Sequence, residues 1–246
     1  MGEHGKHRAL VKLGALTALG FAILPSLAIA QCRLALLLAM DVSSSVDASE
    51  DALQRGGMVA ALTSPEVQAA FFATNQPVAL AAYEWSGRYN QEMLLEWTLI
   101  NTPADLLFAA ETIASSKRSH NDFPTAMGYA LGYGAGVLER APSCLYKTLD
   151  VAGDGQNNEG FSPAQAYAAF PFRDVTVNGL VINGADFEAE TGLIAFYKSQ
   201  VMRGPGAFVE IAQGFEDYER AMRRKLEREL MPPVIGHVTP TSRSSG

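Results

Sequence analysis

The sequence predicts an α/β fold: a mostly parallel central sheet with one antiparallel edge strand and helices on both faces. Three observations carry this. Beyond residue 30, apolar runs of strand length alternate with runs of helical periodicity along the chain. The run Leu36-Leu37-Leu38-Ala39-Met40 stops abruptly at Asp41-Val42-Ser43-Ser44-Ser45, and a later one stops at Gly153-Asp154-Gly155; an open α/β sheet gathers its ligands at such carboxyl ends. The second and third strands are joined only by Ser86 to Glu92, too short for a crossover helix, so that pair is antiparallel.

In chain order, strands are expected over 34–40, 78–85, 93–99, 145–152, 176–182 and 207–212. The helix expected at 48–62 carries Leu53, Met58, Val59 and Leu62 at helical spacing. A helix over 103–115 opens with Pro103 in the first turn, where a missing N–H costs nothing. Ala, Met, Tyr and Leu share one face over 125–138, and further helices fall at 163–170, 188–202 and 215–230. The last is heavily charged, yet Phe215, Tyr218, Met222 and Leu226 recur on one face, the pattern of a solvated helix packed on a sheet.

The ends read differently from the middle. Residues 1–30 have a basic start (Lys6, Arg8, Lys12), an apolar centre and the small-x-small ending Ala28-Ile29-Ala30, the pattern of a cleaved secretory signal. Gln31 precedes Cys32 where lipid attachment calls for a small residue. Cleavage removes Lys6, Arg8, Lys12 and Glu3, so the formal charge moves from −7 to −9. The expected product is an acidic periplasmic or secreted protein, with one domain over 31–231 and a low-complexity tail over 232–246. It has no basic stripe for nucleic acid and no second apolar run for stable membrane insertion.

A buried strand end has no use for unpaired carboxylate and hydroxyl groups, which cost roughly 1–3 kcal/mol each when unsatisfied. Asp41, Ser43 and Ser45 offer three oxygens two residues apart, which suits a hard divalent cation: magnesium first, manganese or calcium as alternatives. Asp154 follows the fourth strand, and Thr125 offers a hydroxyl near a helix start. Each has a plainer alternative. Asp41 is a cap for the helix at Ala48, Ser43 and Ser45 are turn residues, Thr125 is a helix cap, and Asp154 sits in a metal-free Gly-Asp-Gly turn.

These pieces, DVSSS, a threonine at a helix start and GDG after the next strand, resemble the von Willebrand factor A domain with its metal-ion-dependent adhesion site. The wider pattern (LLLAMDVSSSV, YEWSG, VAGDGQNN, NGLVI, GPGAFV, KLEREL) is similar to an exported bacterial branch of that superfamily of unknown function. The resemblance implies a Rossmann-like fold and one divalent cation surrounded by Asp41, Ser43, Ser45, Thr125 and Asp154. It also implies a binding module rather than an enzyme, with a protein or peptide partner that supplies an Asp or Glu carboxylate. One departure stands out: Asn121-Asp122-Phe123-Pro124 replaces the small, glycine-rich approach to the threonine.

Two cysteines in an exported chain are expected to pair. Cys32 lies nine residues before Asp41 and Cys144 ten before Asp154, so if the first and fourth strands are parallel neighbours the thiols meet at the far end of the sheet. Asp150, on the same strand face as Asp154 by parity, reads as structural or supporting; Asn157 and Asn158 read as rim or turn residues.

The main rival is a haloacid-dehalogenase-like magnesium-dependent phosphatase with Asp41 as nucleophile. It wants a second acid two residues on, where Ser43 stands, and a lysine before the last motif, where only Lys147 is near. A serine hydrolase lacks a Gly-x-Ser-x-Gly elbow and has only His120 and His237 beyond the leader. No Cys/His cluster supports zinc.

Overall fold

The computed structural model describes residues 1–2, 30–184 and 187–231. The rest of the predicted leader and the 232–246 tail lie outside the described residues. Among the described residues six strands form one sheet: β1 (Cys32–Asp41), β2 (Val78–Trp85), β3 (Gln91–Ile100), β4 (Cys144–Gly153), β5 (Val175–Ile182) and β6 (Val209–Ala212). Their order is β3-β2-β1-β4-β5-β6, parallel throughout except for the β2–β3 hairpin. β1 is wholly buried, which is why it reads as a continuous apolar run rather than an alternating one.

Among the described residues seven α-helices cover the faces: α1 (Ala48–Thr63), α2 (Pro65–Phe71), α3 (Pro103–Ser115), α4 (Met127–Glu139), α5 (Pro163–Ala169), α6 (Phe187–Phe196) and α7 (Tyr218–Leu230). Leu34, Leu36, Leu38 and Met40 of β1 pack with α1, α2, α3 and α7, while Ala35, Leu37 and Ala39 pack with α4 and α5. The period-2 alternation of strand side chains thus feeds two separate cores from one strand.

The sequence placed most elements within a few residues and missed one. The helix ends at Thr63, where Ser64 turns extended and caps α2, with Pro65 in its first turn; the Ser64-Pro65 signal lies beyond the periodic run at 48–62. The helix expected over 188–202 ends earlier as an α-helix, and Tyr197–Val201 continues it as a π-helical segment. A short 3₁₀ turn, Phe215–Asp217, precedes α7.

α7 holds the least expected feature. Lys225 is fully buried, with Nζ 2.7 Å from Asp150 Oδ1 and 2.6 Å from Glu229 Oε1. Asn178 of β5 donates to the same Glu229 oxygen at 2.7 Å and accepts from the Phe208 amide at 3.0 Å. Burial, with the Glu229 charge beside it, pushes Asp150 up to about 7. Asp150 therefore ties the sheet to α7 and stands apart from the strand ends.

Cys32 and Cys144 are direct partners in the β1–β4 register, with Cα atoms 4.4 Å apart, and are joined by a disulfide. The bridge closes a separation of 112 residues. Loops of that size contribute about 4–5 kcal/mol in the chain-entropy account, and removing a native bridge typically costs about 2–5 kcal/mol. Replacing both residues, Cys32→Ser with Cys144→Ser, is expected to lower unfolding free energy by about 3 kcal/mol in denaturant titrations; an unchanged midpoint would contradict this.

Candidate metal site

Strand order reverses between β1 and β4, since the chain moves outward from β1 to β2 and β3 and then returns to β4 on the other side. The crevice at the carboxyl ends of these two strands is where such a sheet leaves room for a ligand. Met40 pairs with Ala152, so the last residue of β1, Asp41, falls beside Gly153, and Asp154 follows immediately.

Asp41 is fully buried; Oδ1 accepts from the Ser43 amide at 2.8 Å, and Oδ2 has no hydrogen-bond partner. The Ser43 hydroxyl lies 3.2 Å from that of Ser45 and accepts from the Thr125 hydroxyl at 3.2 Å, while Ser45 donates to Asp154 Oδ1 at 2.8 Å. The five residues singled out in the sequence are thus adjacent. Thr125 is not a helix cap: α4 begins at Met127, its cap residue is Ala126, and no side chain caps it. The Thr125 hydroxyl turns to Ser43 instead. Nor is Asp41 a cap, because Asp47 accepts from the Ser49 and Glu50 amides in a capping box at the start of α1.

Oxygens around magnesium lie about 2.0–2.1 Å from the ion, which makes the edge of an octahedron about 2.9 Å. The hydroxyl–hydroxyl and hydroxyl–carboxylate separations of 2.8–3.2 Å are of that size. The unpartnered Asp41 Oδ2 is the buried acceptor such an ion would satisfy. Among the described residues no group of three or more His, Cys, Asp or Glu gathers to hold a metal; this site has two carboxylates, and hydroxyls supply the rest.

Close packing explains the glycine after β4. A Cβ at Gly153 would lie 2.8 Å from Asp41 Oδ2 and 2.7 Å from the Tyr197 hydroxyl, so any side chain there pushes Asp41 away. Tyr197, at the start of the π-helical segment, is fully buried, and its hydroxyl has no partner. Burial, and then the Asp41, Asp154 and Asp150 charges, hold that phenol well above its usual pKa.

Sequence reasoning missed the residues that hold this loop. The Arg118 guanidinium donates to four carbonyls: Val42 (2.9 Å), Ser43 (3.1 Å), Val46 (2.7 Å) and His120 (2.7 Å). Glu84 bonds the Ser119 amide at 2.6 Å and Arg55 at 2.9 Å, anchoring the segment that carries Arg118 to β2 and α1. Gln54 donates to the Asp41 carbonyl at 2.8 Å. Asn158 accepts from the Thr125 amide, Asn157 from the Gly128 amide; they fix the threonine loop rather than line a rim. The Phe123 carbonyl accepts from Ser44 at 2.8 Å, so the unusual NDFP approach is tied to DVSSS through its backbone. A buried-carbonyl clamp has no sequence signature, because carbonyls are the same at every residue.

Lys147 donates to the Leu138 carbonyl at 2.9 Å and pairs with Ala35 near the start of β1, so it sits toward the opposite end of β4 from Asp154. His120 stacks edge-on against Phe123, with Nδ1 2.9 Å from the Ser119 hydroxyl.

The family model described as "Protein of unknown function (DUF1194)" matches residues 31–234. No curated protein matches in sequence. Among solved structures, proximal thread matrix protein 1 from the mussel byssus is similar over 83% of this chain and 48% of that one, at 15% identity and a TM-score of 0.57. One form of that protein has a zinc-occupied MIDAS motif (16% identity, 81% of this chain, 46% of that one, TM-score 0.55). A von Willebrand factor type A structure from Catenulispora acidiphila matches at 16% identity over 81% and 42% of the two chains, with a TM-score of 0.53. The chain therefore spans less than half the length of these structures. Its fold is the von Willebrand factor A fold.

Two outcomes follow from the geometry. Arg118→Ala frees four carbonyls and loosens the DVSSS turn, so if the site takes magnesium its affinity in calorimetry should fall about 10–100-fold, with little change for Lys147→Ala. The second concerns pH. Burial and the Asp154 charge push Asp41 up to about 8 in the absence of a cation, from 3.8. The folded state then binds that proton more tightly than the unfolded chain, so in chelator the stability this carboxyl contributes is fully present below about pH 4 and is lost as pH rises to about 8. Asp41→Asn should remove this contribution over the whole window, leaving those of Asp150 and Asp154. A divalent cation held by the carboxylate would bind more tightly as pH rises through the same window.

Proposed function

The chain belongs to the DUF1194 family, matched over residues 31–234, and from that premise and the site geometry we propose that it is an exported binding module with a cation-dependent site. Asp41, Ser43, Ser45, Thr125 and Asp154 would hold one divalent cation, magnesium first among the candidates and manganese or calcium next. The observation that carries this is a chain of three hydroxyls, Thr125 to Ser43 to Ser45, that ends on Asp154 and passes two residues from a buried Asp41 whose Oδ2 has no partner.

Two carboxylates would balance the formal charge of a divalent cation, and one oxygen from each of the five residues would leave a sixth position of an octahedral ion unfilled. Such an ion offers a partner's Asp or Glu a position that water otherwise fills. The chain's own groups set the terms: Arg118 and Gln54 hold the loop backbone, Gly153 lets Asp41 lie flush with β4, and Asn158 fixes Thr125. The partner proposed is a protein or peptide recognised through a carboxylate. A pilus adhesin, SpaC from Lactobacillus rhamnosus GG, has the same fold at 12% identity, which supports a binding role.

Export to the periplasm or the exterior is proposed from the 1–30 leader pattern and the Cys32–Cys144 bridge. Among the described residues no helix is long and apolar enough to cross a membrane. The phosphatase alternative is weakened by Lys147, which bonds the Leu138 carbonyl away from Asp41, and by Ser43 where a general acid is needed.

Asp41→Ala should abolish magnesium and manganese binding in calorimetry while circular dichroism stays unchanged, and capture of partners from envelope extracts should become insensitive to chelator because it is lost in both arms. Partner capture that survives in this variant would sink the proposal, as would Asp41-dependent hydrolysis of an aryl phosphate.

A further inference from the structure

The core between the sheet and helices α4 and α5 contains a polar group that packing does not use. Tyr197 fills part of that core with its ring, and its hydroxyl, fully buried, bonds to nothing among the described residues. Two other phenols of the same layer are committed: Tyr83 donates to the Ala130 carbonyl at 2.8 Å and Tyr167 to the Val201 carbonyl. A phenylalanine at 197 would fill the same space without stranding a donor, which is costly in an apolar interior. Packing alone gives no reason for the hydroxyl.

The room that Tyr197 occupies is made by two glycines. Within β5, a Cβ at Gly179 would lie 2.6 Å from Tyr197 Cδ1, and at the end of β4 one at Gly153 would lie 2.7 Å from the hydroxyl. Neither glycine has a positive φ, so the missing side chains serve close approach and not backbone conformation. The helix also changes its winding at this residue: the Met202 amide donates to the Tyr197 carbonyl at 2.9 Å, the bond of a π-helical turn.

What the hydroxyl approaches is Asp41. By strand alternation Asp41 continues the series Ala35, Leu37 and Ala39, whose side chains face this same core. The point where a Gly153 Cβ would stand is 2.8 Å from Asp41 Oδ2 and 2.7 Å from the Tyr197 hydroxyl, so the two oxygens close on one spot from two elements. One is a buried donor without an acceptor; the other is a buried carboxylate oxygen without a donor.

We propose that Tyr197 is a positioning residue of the cation site: its hydroxyl donates to Asp41 Oδ2 and fixes the ionised carboxylate at the end of β1. That role rests on the cation-dependent reading above and adds to it a residue from the far end of α6. A carboxylate oxygen has two lone pairs, so Oδ2 can take the phenol from the core side and keep the other free. Partners that touch a ligand and not the metal typically change metal affinity by about 10–100-fold.

Tyr197→Phe removes only the hydroxyl. Calorimetry on the full chain should show magnesium and manganese affinity about tenfold weaker than in the wild type, while the melting temperature in chelator stays equal or rises because a stranded donor is gone. Tyr83→Phe, which loses a hydrogen bond that is made, should do the reverse and lower the melting temperature with affinity unchanged. In protein labelled with 3-fluorotyrosine, the fluorine resonance that Tyr197→Phe lacks should move in Asp41→Asn in chelator, and in the wild type on addition of magnesium. Three results overturn the positioning role alone: wild-type affinity in Tyr197→Phe, a loss of affinity that comes with a lower melting temperature, or a Tyr197 resonance indifferent to Asp41→Asn. A wild-type chain that binds neither magnesium, manganese nor calcium overturns the cation-dependent reading, and the role with it.

Discussion

The parallel pairing of β1 with β4 is the constraint on which the rest depends. It sets Cys32 opposite Cys144 at one end and Asp41 beside Gly153 and Asp154 at the other. A slip of one residue would turn Leu34, Leu36 and Leu38 from one core to the other and move Asp41 away from Gly153. The disulfide pins the register at the end where sheet hydrogen bonding begins; the glycine permits the close approach where it finishes. Site geometry is therefore a consequence of strand register, and register is held by two cores and a covalent bond.

Burying Asp41 beside a half-buried Asp154 is unfavourable, and the surrounding residues show how the fold tolerates it. The hydrogen bonds of Arg118 go to carbonyls and not to either carboxylate. Its charge lowers the Asp41 pKa only against larger effects of burial and Asp154. Arg55 is similarly committed to Glu84, Asp51 and Ser116. The nearby cations thus build the platform and leave the acidic oxygens free.

Much of this was legible in the sequence, for physical reasons that differ by element. β1 was legible because a strand buried on both faces must be apolar throughout, and its polar end could not be core. The β2–β3 hairpin followed from linker length, and the disulfide from matched offsets. Thr125 was found for its hydroxyl but given the wrong neighbouring role, because Pro124 before it imitates a helix start while α4 begins at Met127. Arg118, Gln54 and Glu84 were invisible, since their partners are backbone groups or residues distant in sequence. Lys225 was hidden for another reason: in a run as charged as EDYERAMRRKLERE, periodicity distinguishes the buried face by its apolar members and says nothing of a lysine that joins them.

That lysine supplies a comparison within the same molecule. Asp150 and Asp154 stand four residues apart on the same side of β1, the first fully buried and the second partly, and both have carboxyl groups raised by burial. Asp150 meets an internal cation, Lys225 at 2.7 Å, and Asn178 and Glu229 complete a closed network beneath α7. Asp154 and Asp41 meet hydroxyls, amides and each other. Where this fold needs a carboxylate neutralised for its own stability, it provides the positive charge from its own chain. At the strand ends it gathers neutral oxygens around acidic ones and provides none on those oxygens among the described residues, an arrangement that supports an external cation as the missing charge.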